Sequence, residues 1–125
     1  MNVTVMGAST DPNRYSYKAF HELTEHGFTV FGINPNQKTM DDQPIFAHLR
    51  EVPLSIDLIT LYINSKVSTE IANEILSSKP KVVIFNPGSE NPALKKVLES
   101  QGVYCLEACT LVLLRTGQFL KAITP

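Results

Sequence analysis

The sequence predicts an α/β fold: an open, doubly wound parallel sheet of five strands in the order 3-2-1-4-5, with helices on both faces, in one domain over residues 1–125. Three observations carry this prediction. Short apolar runs alternate along the chain with stretches of helical periodicity. The runs are apolar throughout rather than at every second residue, as strands covered on both faces are. No repeat, low-complexity tract or linker interrupts the alternation, and 125 residues suit one domain. Right-handed crossovers make the doubly wound order the simplest one.

The elements follow in order. VTVM, 3–6, is the first strand. Residues 17–26, YKAFHELTEH, place Tyr17, Phe20 and Leu23 on one helical face, and Gly27 follows as C-cap. FTVFGI, 28–33, is the second strand. Residues 34–56 read as irregular, with Pro35, Pro44 and Pro53 and at most a helical turn around IFAHL. DLITLYI, 57–63, is the third strand, and 66–78 carry Val67, Ile71, Ile75 and Leu76 at helical spacing. KVVIF, 81–85, is the fourth strand. Next comes a helix with Asn91 as N-cap, Pro92 at its first position and Gly102 past its end. VYCL, 103–106, is the fifth strand, and 110–114 a final helix ended by Gly117.

Composition narrows the function. The net charge of −1 offers no basic field for DNA or RNA in general, though one local basic spot for a phosphate remains compatible with it. No apolar stretch approaches the ~18 residues of a membrane span. MNVTVMG has neither the positive start nor the long apolar middle of a secretory signal. Cys105 and Cys109 suit a reducing compartment better than a disulfide scaffold, so the expectation is a cytoplasmic protein.

On such a sheet, ligands bind beyond the carboxyl ends of the strands at the switch in strand order, here expected between the first and fourth strands. The loops to inspect are 7–16, 34–44, 62–66, 86–91 and 107–110. In the first, Gly7 permits a tight exit from the strand. Ser9 and Thr10 offer hydroxyls and N–H groups before a helix, and Arg14 a cation, which together suit a phosphate. The polar loop is longer than a plain connection needs. At the tip of the second strand, NAD-type sites place Asp or Glu for the ribose 2′-hydroxyl. Here Asn34 and Pro35 stand, with Lys38 close behind. An acid is missing and a base is near, which argues against NAD and tolerates a ribose phosphate; an Asn-Pro turn with a solvated lysine explains the same residues. Tyr62 at the third strand's lip suits either a ligand or the core rim. Asn86, Pro87 and Gly88 form a second turn, where Gly88 would let backbone approach a ligand.

No catalytic constellation emerges. Cys105 and Cys109 are spaced C-x-x-x-C, which is not the redox pair, and read as small buried residues. Glu107 sits at a strand tip, facing either the pocket or solvent. His21, His26 and His48 share no metal-ligand spacing.

The blocks GASTDPNRYSYKA, INPNQ, IDLITLYI, KPKVVIFNPGSEN and EACTLVLLRTGQF, spread over residues 3–119, resemble the small single-domain coenzyme A-binding proteins of bacteria. These in turn are similar to the N-terminal coenzyme A-binding domain of the succinyl-CoA synthetase α subunit. The resemblance implies a Rossmann-like fold with coenzyme A or an acyl-CoA as ligand. Its diphosphate would lie on Gly7, Ala8, Ser9 and Thr10 with Arg14 close by. Asn34 and Pro35 would lie under the adenosine, Lys38 near its ribose phosphate, and Tyr62 and Ile63 beside the nucleotide. Ser9 stands where an NAD fingerprint has glycine, so the loop exchanges close backbone approach for hydroxyl donors. The synthetases carry a phosphorylated histidine and a nucleotide-grasping module outside this domain, and neither is in these 125 residues. The expectation is therefore a binding module, a carrier or sensor of acyl-CoA without catalytic machinery.

Two other readings stand beside it. One is an enzyme, an NAD(P)-linked reductase or a CoA-thioester transferase, with Cys109 or Glu107 as its reactive group. The other is a regulatory subunit with a vestigial pocket, in which TLVLLRTGQFL, 110–120, forms a partner or homodimer surface rather than closing one edge of the core.

Overall fold

The computed structural model describes residues 1–36, 39–40 and 43–125. Its sheet strands are β1 (Asn2–Met6), β2 (Thr29–Ile33), β3 (Thr39–Met40), β4 (Gln43–Phe46), β5 (Leu58–Leu61), β6 (Val82–Phe85) and β7 (Tyr104–Glu107), in the spatial order β3-β4-β2-β1-β5-β6-β7. All pairings are parallel except the β3–β4 hairpin at one edge. The Rossmann-like parallel sheet is as expected, with more strands. Leaving the hairpin strand β3 aside and numbering the six parallel strands in chain order, they run 3-2-1-4-5-6.

The added strand is β4, QPIF, within the segment expected to be irregular. Pro44 disguises it: proline cannot donate to a ladder and is confined to sheet margins. Here only the two-residue β3 lies outside β4, so this position is such a margin. The helical turn expected around IFAHL is a 3₁₀ turn over Leu49–Glu51 instead. Because β4 takes the place beside β2, the strand expected as third, β5, pairs with β1 on its other side. The switch in strand order therefore falls between β1 and β5, not between β1 and the 82–85 strand.

Six helices flank the sheet among the described residues: α1 (Tyr15–Glu25), α2 (Ser65–Glu70), α3 (Ala72–Ser77), α4 (Pro92–Ser100), α5 (Thr110–Arg115) and α6 (Phe119–Ala122). The helix expected over 66–78 is two, broken at Ile71, whose φ of −108° and ψ of 17° leave the helical region. β-branched Val67, Thr69 and Ile71 make this stretch a poor helix former. Asn91 caps α4 as expected, accepting from Leu94 N at 3.1 Å. Its amide also donates to Ser68 Oγ at 2.8 Å, fastening α4 to α2.

Side chains alternate between two cores. Val3, Val5, Leu58 and Ile84 face α1, α5 and α6 with Phe20, Leu23, Leu114 and Phe119. Met6, Ile59, Leu61, Val83 and Phe85 face α3 and α4 with Ile75, Leu94 and Leu98. With both faces covered, period-2 alternation reads in sequence as an unbroken apolar run. The 110–120 stretch helps close the first core through Leu114 and Phe119, leaving Val112 and Leu120 exposed.

Candidate functional site

The carboxyl ends of β2, β1 and β5 open on two adjoining cavities that share Gly7 and Asn34. The first, about 390 Å³, is polar and lies at the start of α1. Arg14 is the N-cap of that helix, with extended backbone and no side-chain cap. The first-turn N–H groups of a helix have no intrahelical partner and carry partial positive charge. No acidic residue occupies the first turn of α1, and Ser9, Arg14, Tyr15 and Ser16 line the cavity around it. Ser9 Oγ accepts from Asp11 N at 3.0 Å, which leaves its proton to donate outward. Asp11 lies 3.9 Å from Arg14 in an exposed ion pair, so an anion entering here competes with that carboxylate for the guanidinium. The arrangement can hold an anion through a helix terminus, hydroxyls and one cation.

Gly7 is what brings the loop this close to β5. Its φ is +86°, and a Cβ placed on it would stand 2.5 Å from the Tyr62 carbonyl oxygen. Its N–H and that of Ala8 both donate to Ile33 O, at 2.9 and 3.1 Å. These two N–H groups thus fasten the loop to β2 rather than facing a ligand. Ala8 is buried in the core, and Thr10 is exposed on the loop, lining neither cavity.

Asn34 is a latch. Its amide donates to Ala8 O at 2.7 Å, its side-chain oxygen accepts from Asn36 N at 2.9 Å, and its own N–H donates to Phe46 O at 2.9 Å. It ties the first loop, the β2 turn and β4 together at the edge both cavities share. Pro35 and Asn36 continue into the second cavity, about 320 Å³, walled by Met6, Ile33, Ala47, Ile63, Val67 and Ile71. His48 and Glu74 supply polar groups there. Lys38 lies outside the described residues.

Tyr62 lines the polar cavity with its ring, while its hydroxyl is turned inward. There Thr60 and Thr110 already bond to each other at 2.8 Å, and Asn86 donates to Thr60 Oγ1 at 2.7 Å and to Leu61 O at 2.9 Å and accepts from Thr110 N at 2.9 Å. The Tyr62 oxygen has no partner of hydrogen-bonding geometry. Burial pushes the phenol up to about 12, against a smaller opposing effect of the Thr110 and Thr60 hydroxyls.

Asn86 therefore belongs to a saturated buried network and not to a pocket wall. Gly88, at φ +90°, sits in an exposed turn and donates to Glu90 Oε1 at 2.8 Å. Neither is among the residues lining these two cavities, because β5 and not β6 neighbours β1, so the turn across from the first loop is the one after β5. Glu107 is exposed and pairs with Lys95 at 3.3 Å. Cys105 is buried and its thiol is pushed up to about 11 by that burial, whereas Cys109 is half-buried. Among the described residues no cluster of His, Cys, Asp or Glu is arranged to hold a metal ion. No described helix is long and apolar enough to cross a membrane.

The sequence reading missed Ser16, Ile71, His48 and Glu74. Ser16 carries a visible signal, a hydroxyl in a helix's first turn, because α1 begins at Tyr15 rather than at residue 17. The other three come from segments whose approach to the β2 tip is purely tertiary.

Comparison with known proteins agrees with the fold. A solved uncharacterized protein is 37% identical, with a TM-score of 0.87 over 94% of this chain and 97% of its own. The dinucleotide-forming acetyl-coenzyme A synthetase 1 of Ca. Korarchaeum cryptofilum, solved with phosphate and ADP, shares the fold at 19% identity, with a TM-score of 0.72 over 86% of this chain and 25% of its own. The α subunit of an ADP-forming acetate–CoA ligase II from Pyrococcus furiosus is 28% identical over 65 residues, 51% of this chain. Those residues are 14% of the ligase subunit's length. The profile of the family described as CoA binding domain matches residues 1–115, and the chain belongs to that family.

Proposed function

We propose that this chain binds coenzyme A or an acyl-CoA through its nucleotide diphosphate and acts as a binding module. One observation carries the reading: the uncapped start of α1, with Ser9, Arg14 and Ser16 around it, adjoins a separate apolar cavity across Gly7 and Asn34. A polar site joined to an apolar one suits a molecule with a diphosphate at one end of a sugar and a flat base at the other. The diphosphate takes the α1 cavity, where the helix terminus and Arg14 offset its charge. The adenosine lies over the turn of Asn34 and Pro35, with its base in the apolar cavity. The tip of β2 carries Asn34 and no carboxylate for a ribose 2′-hydroxyl, and Asn34 spends its side chain on the loop latch. Family membership supports the choice of ligand.

Isothermal titration of the chain with CoA, NAD and NADP tests it. Binding of CoA with little or no response to NAD is expected. NAD binding without a response to CoA overturns the reading. If Lys38 meets the ribose phosphate, Lys38→Ala weakens CoA and leaves 3′-dephospho-CoA unaffected.

A further inference from the structure

A carboxylate lines the mostly apolar second cavity. Glu74 of α3 reaches it, and among the described residues no Lys or Arg does. Glu74 is held in place: Oε1 accepts from Leu49 N, and Oε2 lies 3.6 Å from His48 Nδ1. Its side chain is 21% exposed, so it meets a ligand in a setting largely shielded from water. A carboxylate only accepts hydrogen bonds. A ligand group that meets it must donate, and a carbonyl in the same place would be repelled and left unpaired. The cavity shares only Gly7 and Asn34 with the polar one, and Glu74 lines only the farther of the two. For a nucleotide whose diphosphate lies at α1, the sugar falls at the shared edge and the base beyond it, on the Glu74 side.

We infer that Glu74 reads the base: it accepts from the exocyclic amine of a 6-aminopurine and rejects a 6-oxopurine. The inference rests on the proposed function for the orientation of the nucleotide. His48 lies beside the same carboxylate and lines the same cavity.

The test uses ADP, IDP, 2′-deoxy-ADP and CoA, titrated into the chain and into Glu74→Gln. The substitution keeps an oxygen to accept from Leu49 N and adds a donor. The chain is expected to bind ADP roughly tenfold or more tighter than IDP. 2′-Deoxy-ADP should follow ADP, and Glu74→Gln should bring the ADP-to-IDP ratio close to one. A merely structural role for Glu74 would lower both affinities together and leave the ratio in place. Equal binding of ADP and IDP, or a ratio unmoved by Glu74→Gln, overturns the inference. So does a loss confined to 2′-deoxy-ADP, which would put Glu74 on the sugar. CoA binding without base preference overturns this inference alone. An ADP preference without CoA binding overturns the CoA reading and leaves the role of Glu74 intact. No binding of any of them overturns both.

Discussion

Substituting Gly7 by alanine separates what the glycine does for the backbone from what it does for packing. The residue sits at φ +86°, where an L side chain costs about 1–2 kcal/mol. The new Cβ would also stand 2.5 Å from Tyr62 O and 3.0 Å from both Tyr62 C and Ile63 Cγ2. Tyr62 cannot simply retreat, because its N–H is bound to Met6 O at 2.8 Å. The loop cannot retreat either without lengthening the 2.9 Å bond from Gly7 N to Ile33 O. Relieving such overpacking adds roughly 1–3 kcal/mol. Gly7→Ala is therefore expected to lose about 2–5 kcal/mol. Gly88 provides the control. Its φ is +90°, but a Cβ there meets nothing within 4 Å, so Gly88→Ala should lose only the conformational part, about 1–2 kcal/mol. Urea unfolding of both variants reads the difference directly, provided the slope with denaturant is unchanged. Equal losses at the two sites would refute the claim that Gly7 is required by contact with β5. Because the same displacement widens the switch point, Gly7→Ala should also weaken CoA binding while Gly88→Ala leaves it alone.

Arg14→Ala should weaken CoA by roughly tenfold, the loss of one charge-assisted hydrogen bond, with little change in stability because its side chain is exposed. Asp11→Asn keeps an oxygen for the turn to Asn13 N but frees Arg14 from its ion pair, so CoA should bind about two- to fivefold tighter; weaker binding would contradict the anion site. Tyr62→Phe should leave stability unchanged or raise it by up to about 1 kcal/mol, since the buried hydroxyl has no bonding partner; a loss above that in urea unfolding would show that it has one. Arg115 bonds Glu22 at 2.6 and 3.0 Å and holds its carboxyl below the ordinary 4.5. A lowered folded-state value makes this contribution complete above 4.5 and lost as pH falls through the lowered value. The melting temperatures of the chain and Glu22→Gln should thus differ near neutrality and converge in acid; a gap that stays constant would remove the pairing as its cause. With Ellman's reagent Cys109 should react in the folded state and Cys105 only after unfolding, because burial keeps the Cys105 thiol protonated up to about 11.

The sequence by itself determined the class of the fold and pointed to the loop that borders the polar cavity. Fully apolar runs such as VVIF, rich in β-branched residues and set between turn signals, read as strands buried on both faces, and Asn91-Pro92 marks a helix start through local hydrogen bonding, so these features needed no tertiary information. The loop after β1 was legible for the same reason: Gly7, Ser9 and Arg14 act within a few residues of one another. What only the tertiary structure decided is which strand neighbours β1. A strand such as QPIF has a weak local signature because Pro44 is tolerated only by its place at the sheet's margin, and adding it moves β5 to the switch point in place of β6. That one placement leaves Asn86 and Gly88 away from the lining of the two cavities at the switch point. It also brings the 47–48 segment against α3, so that His48 and Glu74 pair at 3.6 Å on one wall of the second cavity. Contacts between residues 26 apart in sequence, as these are, leave no periodicity or cap to read; they exist only because the sheet order closes the loop between them.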